Sequence, residues 1–154
     1  MQPTFPQPIG LYLARVARTA SRAFDEALAE AGGSVPVWLV LISIKSRQLS
    51  NQRELADAVG IKEATLTHHL NAMDAQGLLT RRRDPANRRV HLVELTERGE
   101  ALFLRLRAAA VAFDHRLRRG FGDEDLSALR DLLGRLERNV TAPAPASAAA
   151  ESHG

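Results

Sequence analysis

The sequence contains no cysteine. Disulfides, thiolate metal sites and thiol redox switches are therefore excluded. Aromatic residues are scarce, at 5%, so any core must be built mostly from Leu, Val and Ala. No run approaches the roughly 18 apolar residues of a membrane span, and the N-terminus lacks the basic-then-apolar pattern of a signal peptide. These absences predict a cytoplasmic protein with no membrane partner. No nucleophile–base arrangement, phosphate-binding loop or metal triad is legible, which argues against an enzyme and predicts no cofactor. Lysine is almost missing as well: Lys45 and Lys62 are the only two among 21 cations, and the rest are arginine.

The chain has 154 residues, 45% of them hydrophobic, which suits one domain with a sizeable core. The net charge of +3 says little. Its distribution says more, because Arg81, Arg82, Arg83, Arg88 and Arg89 crowd into one short stretch. Arginine is the better fork for phosphate and for base edges.

Residues 1–8 hold three prolines and no periodicity, and read as a loose arm. From Ile9 apolar residues recur at 3–4 spacing through Leu13, Val16, Ala20, Phe24 and Leu28, which predicts a first helix. "AGGS" stops it at 31–34, and Ser34 is a fair N-cap for a second helix with Pro36 in its first turn. That second helix, "VWLVLISI", is apolar nearly all round and should be buried. "SRQLSN" breaks it. Asn51 then opens a third helix, with Glu54 at capping-box spacing and Gly60 as its stop. A fourth, "EATLTHHLNAMDAQ", turns Leu66, Leu70 and Met73 inward and ends at Gly77. Two short helices joined by a tight Gly-containing turn form a helix-turn-helix pattern.

"LLTRRR" and "RRVHLVEL" follow as strand-like runs separated by "DPAN", a turn of Asp, Pro and Asn. A helix-turn-helix followed at once by a β-hairpin is a winged helix. Five arginines on one hairpin repel each other, and a polyanion would neutralise them. The bland alternative is a solvated charged hairpin offset by Asp84 and Glu94; the adjacent helix-turn-helix favours DNA. Thr96 caps a long fifth helix with Leu102, Phe103, Leu106, Ala110, Phe113 and Leu117 on its apolar face. Asp123 caps a sixth, where Leu126, Leu129, Leu133, Leu136 and Val140 step at heptad spacing. The first, fifth and sixth helices carry more apolar surface than a small winged helix covers, and a dimer accounts for it. The Ala/Pro/Ser-rich end, 141–154, reads as a disordered tail.

Over about residues 9–140 the sequence resembles the MarR-type transcriptional regulators. The resemblance is most specific in the wing, at Asp84, Pro85, Asn87, Arg88, Arg89, Leu95, Thr96 and Gly99. It implies a mainly α fold with a small β-hairpin: a winged helix-turn-helix core at about 35–99, flanked by dimerisation helices at 9–30 and 97–140. It also implies an obligate homodimer on pseudo-palindromic duplex DNA, in many members loosened by a small molecule. The function expected is a sequence-specific regulator, most often a repressor. The alternative is a nonspecific or architectural winged-helix DNA-binding protein. Two departures stand out. Asn87 takes a place the family usually gives to Asp, and Lys62 one it often gives to Ser. Lysine has no acceptor to cap a helix with, and it suits that N-terminus only where an anion such as a DNA phosphate is also present.

With Leu66, Leu70 and Met73 inward, Glu63, Thr65, Thr67, His68 and Asn71 are left to meet DNA. Thr67 and His68 are the candidates for base edges, Thr65 and Lys62 for phosphate, with Asn71 further along. His68 and His69 diverge by about 100° on a helix and cannot chelate one ion together, so no metal is expected. His69 is expected half-buried against the wing, and His115 as structural or solvent-facing. On the wing, Arg82, Arg88 and Arg89 are the DNA candidates, with Asp84, Pro85 and Asn87 shaping the turn. Arg88 is the candidate for the minor groove and Arg89 for a pair with Asp84, though the sequence leaves the reverse assignment open. Tyr12, Arg15 and Trp38 would offer a small aromatic acid an aromatic wall and a cation, against the reading of Trp38 as plain core.

Overall fold

A computed structural model describes residues 7–47, 52–89 and 91–143. The elements are α1 (Ile9–Glu30), α2 (Val35–Arg47), α3 (Gln52–Val59), α4 (Glu63–Ala75), β1 (Leu79–Arg83), β2 (His91–Leu95), α5 (Glu97–Leu117) and α6 (Asp123–Thr141). This is the expected mainly α chain with one hairpin. It divides into two compact units, one up to Leu117 and one from Arg118 onward.

In the first unit every element gives side chains to one core. Leu28 comes from α1, Val40 and Leu41 from α2, Leu55 from α3, Leu66, Leu70 and Met73 from α4, Val93 from β2, and Leu102 and Leu106 from α5. The 4- and 3-residue steps of Leu66, Leu70 and Met73 put them on one side of α4, and the opposite side stays in solvent. On α2 the expectation of burial all round needs correction. Trp38, Val40 and Leu41 are buried, but Leu39 is 36% exposed. A uniformly apolar sequence has no period to show which side faces outward.

The turn between α3 and α4 rests on Gly60, whose φ of +74° lies where a Cβ is costly. Both the Gly60 and Ile61 amides donate to the Ala56 carbonyl, at 2.9 and 3.1 Å, which closes the end of α3. At the end of α4 the Leu78 amide donates to the Met73 carbonyl at 2.9 Å and turns the chain into β1. Thr96 fastens the far end of the hairpin to this place. Its hydroxyl donates to the Gly77 carbonyl at 2.6 Å and accepts from the Gly99 amide at 3.1 Å, so it caps α5 as expected. Gly99 itself lies against the Leu78 carbonyl so closely that a Cβ would collide with the backbone. The Thr96–Gly99 pair is thus a joint between the hairpin, α4 and α5.

β1 and β2 are antiparallel, with Leu79 opposite Leu95 and Arg83 opposite His91. The second strand starts at His91, not at Arg88, so the connection is longer than "DPAN" and carries Arg88 and Arg89 itself. Val90 and the helix-opening Asn51 lie outside the described residues, as do 1–6 of the arm and 144–154 of the tail.

The second unit is α6 with its approach. Its N-cap is Gly122, not Asp123, and the Gly122 amide donates to the Asp125 carboxylate at 2.9 Å. Helix α6 buries no residue fully and continues through Thr141, one residue into the expected tail. Among the described residues no single helix is long and apolar enough to cross a membrane.

Candidate nucleic-acid interface

Helix α4 presents a polar side to solvent. Lys62 occupies its N-cap with extended backbone and makes no side-chain cap, as a lysine must. Lys62, Thr65, His68 and Asn71 are exposed, while Thr67 and His69 are half-buried. The Thr67 hydroxyl donates to the Glu63 carbonyl at 2.8 Å. The two histidine rings meet edge to face, with centroids 5.8 Å apart.

The hairpin sorts its arginines by strand parity. Leu79, Arg81 and Arg83 alternate with Thr80 and Arg82. Leu79 is buried, so Arg81 starts from the inward side and Arg82 from the outward side. Arg81 Nη2 donates to Asn71 Oδ1 at 2.6 Å and meets Asp74 Oδ2 at 3.3 Å. Arg82 Nη2 pairs diagonally across the strands with Glu94 Oε1 at 2.9 Å, both side chains more than half exposed. Two residues expected to face DNA, Asn71 and Arg82, are thus already engaged within the protein.

The loop holds its shape through two side chains. The Ala86 amide donates to Asp84 Oδ1 at 2.9 Å, and the Arg89 amide donates to Asn87 Oδ1 at 3.2 Å. Such Asx bonds replace the missing ladder partners of a turn, and Pro85 between them fixes its own φ. Asp84 therefore serves a backbone amide, and the expected Asp84–arginine pair does not form. Arg83, Arg88 and Arg89 are exposed and form no ion pair among the described residues. Three guanidinium groups, one at the end of β1 and two in the loop, make a cationic edge for a polyanion on the hairpin that Arg81 ties to α4.

Of the expected ligand residues, Tyr12 and Arg15 lie together and Trp38 stands apart from them. Trp38 is 8% exposed and stacks on Phe103 in the core, centroids 5.9 Å apart. Arg15 lines a cleft of about 360 Å³ between α1 and α5, with Val16, Ala20, Phe113 and Arg116. Tyr12 stands beside it, its ring centroid 5.2 Å from the Arg15 guanidinium carbon. Sequence reasoning missed Phe113 and Arg116 here. Their 3-residue spacing on α5 was the available signal. It also missed Arg83 on the wing. His115 is exposed on α5.

Two helices with a glycine turn, then an arginine-rich hairpin bonded back to the second helix, define a winged helix-turn-helix protein. Residues 34–91 match the model of the MarR family. The repressor CouR, solved on a 23-mer DNA duplex, is similar with a TM-score of 0.73 at 27% identity, over 86% of this chain and 94% of that one. CouR from Rhodococcus jostii RHA1 bound to p-coumaroyl-CoA is similar at 27% identity and TM-score 0.69, over 92% of this chain and 96% of that one. MOSR of M. tuberculosis, solved with DNA, matches at 25% identity and TM-score 0.67, over 87% of this chain and 96% of that one. Residues 34–91, which hold the helix-turn-helix and most of the wing, thus carry the MarR-family pattern.

Proposed function

We propose that this chain is a sequence-specific DNA-binding transcriptional regulator, a repressor by type, acting in the cytoplasm as a homodimer on pseudo-palindromic duplex DNA. The observation that carries the reading is the exposed polar side of α4 together with the exposed arginines of the hairpin that Arg81 bonds to it. Helix α4 enters the major groove, where Thr67 and His68 meet base edges while Lys62 and Thr65 hold phosphates. The loop follows the backbone, and Arg88 or Arg89 enters the flanking minor groove. Arg83 joins this set, in the role that sequence reasoning gave to Arg82. The DNA-bound CouR and MOSR structures support DNA binding as the reading.

A second copy accounts for apolar surface that has no cover. Ile9, Leu11 and Val16 on α1, Leu104 and Val111 on α5, and Leu132 and Val140 on α6 are all exposed. Sedimentation of a stable folded monomer at nanomolar concentration would contradict the dimer. A small aromatic acid is the proposed effector, anchored by Arg15 and Arg116 over the apolar floor of the α1–α5 cleft. The CouR complex with p-coumaroyl-CoA supports a ligand of aromatic acyl character. A panel of salicylate-like acids is expected to raise the melting temperature and release DNA; neither effect across the panel rejects the effector.

The regulator itself is tested by competition at fixed salt. A duplex selected by the protein from a random library competes with random duplex of the same length. A preference of about 10³ or more is expected of a specific regulator, whereas a ratio near unity assigns an architectural role.

A further inference from the structure

Arg81 is the arginine of the hairpin that DNA does not explain. Its side chain is only 22% exposed, while Arg82 beside it is 55% exposed. Its Nε is buried with no hydrogen-bond partner among the described residues. One terminal nitrogen, Nη2, serves both acceptors on α4, Asn71 Oδ1 at 2.6 Å and Asp74 Oδ2 at 3.3 Å. Positions 71 and 74 are three apart on a helix, so their side chains project as neighbours. They belong to the second half of α4, and Arg81 to the middle of β1. The guanidinium is drawn against α4 and is mostly covered.

We infer that Arg81 is a positioning residue that clamps the recognition helix to the wing, and that Asn71 acts through this clamp and not on a base. An asparagine reads adenine by using its carbonyl oxygen and its amide nitrogen together. Here one lone pair of the Asn71 oxygen is already taken by a cation on β1, which holds the amide toward the wing. The clamp fixes the distance from the α4 side chains in the major groove to the loop arginines outside it. Half-site specificity depends on both being in register at once.

This inference rests on the DNA-binding reading, and its test separates the two. The full chain is prepared as wild type, Arg81→Ala, Arg81→Lys, Asn71→Ala and the Arg81→Ala/Asn71→Ala double variant. Affinity for a library-selected duplex and for random duplex is measured across a salt series, and amide hydrogen exchange of β1 and β2 is followed without DNA. Arg81→Ala and Asn71→Ala should each weaken the selected duplex by about tenfold, the double variant no more than about twofold further, because the two residues act as one unit. Random duplex and the salt slope should stay as they were. Arg81→Lys should not restore affinity, since its ammonium ends one bond short of the Nη2 that makes both contacts. Strand amides should exchange faster in both Arg81 variants. A salt slope reduced by about two in Arg81→Ala and restored in Arg81→Lys would make Arg81 a phosphate contact and overturn the clamp. Independent, additive losses, or no loss at all, would overturn it too. Should Arg81→Ala fail to fold, Arg81→Lys and the exposed Asn71→Ala carry the same comparison. If the wild type selects no duplex, the DNA reading fails, and the exchange experiment alone decides the clamp: faster exchange upholds it and unchanged exchange removes it.

Discussion

The strands and the loop of the hairpin use the same residue type in opposite ways. On the strands, Arg81 and Arg82 each face a carboxylate, Asp74 or Glu94, and are spent on holding the protein together. In and beside the loop, Arg83, Arg88 and Arg89 face none among the described residues: Asp84 accepts from a backbone amide, and Asn87, which does the same, carries no charge. Clustering of charge in the sequence therefore overstates the cationic surface. What counts is how many guanidinium groups the fold leaves unpaired, and where.

Removing the loop charges should have the largest effect. The Arg83→Ala/Arg88→Ala/Arg89→Ala variant is expected to lose at least about 100-fold in affinity for a selected duplex, and its salt slope should shrink by about five as six contacts leave the dimer. Titration by fluorescence anisotropy across salt checks both. Arg88→Ala alone should reduce the slope by about two and relax the preference for A·T pairs flanking the half-sites. An unchanged slope in a folded Arg88→Ala protein would make that arginine merely solvated.

The base-reading side of α4 should respond differently. His68→Ala is expected to lower discrimination by about 1–3 kcal/mol at one base position while leaving the salt slope alone, as seen by repeating the competition with single-base variants of the duplex. Smaller still is Arg82→Ala. Its exposed pair with Glu94 is worth about 0–1 kcal/mol, and DNA binding should hardly move. Glu94→Gln sharpens the contrast. It releases Arg82, and affinity for random duplex should rise by about two- to threefold with a slightly steeper salt slope. A fall in affinity would mean that Glu94 holds the strand in shape and does not restrain a cation.

Much of this arrangement is legible in the sequence. The inward trio on α4, the stops at Gly60 and Gly77 and the cap at Thr96 each follow from a local rule: helical period, a left-handed turn, an N-cap hydroxyl. What was not legible depends on register or on distant partners. Arg81 and Arg82 are adjacent and chemically identical, and only the inward placement of Leu79 tells which one turns toward α4. Asp123, Glu124 and Asp125 run together, so a shift of one residue moves the cap from Asp123 to Gly122. Trp38 sits in a helix without polar punctuation, and its place in the core beside Phe103 comes from α5, far along the chain. The cleft at Arg15 likewise needs α5 to bring Phe113 and Arg116 to it.

The central claim is that two copies of one lobe read duplex DNA with α4 in the major groove and the loop arginines beside it. Chemical footprinting of the wild-type protein on its selected duplex tests this most directly. The account predicts two symmetry-related patches of guanine N7 protection in the major groove, with centres one helical turn, about 34–36 Å, or a multiple apart. Minor-groove protection should lie just outside each patch and should disappear in Arg88→Ala or in Arg89→Ala. A single unpaired patch, or uniform protection along the duplex with no major-groove signal, would contradict it.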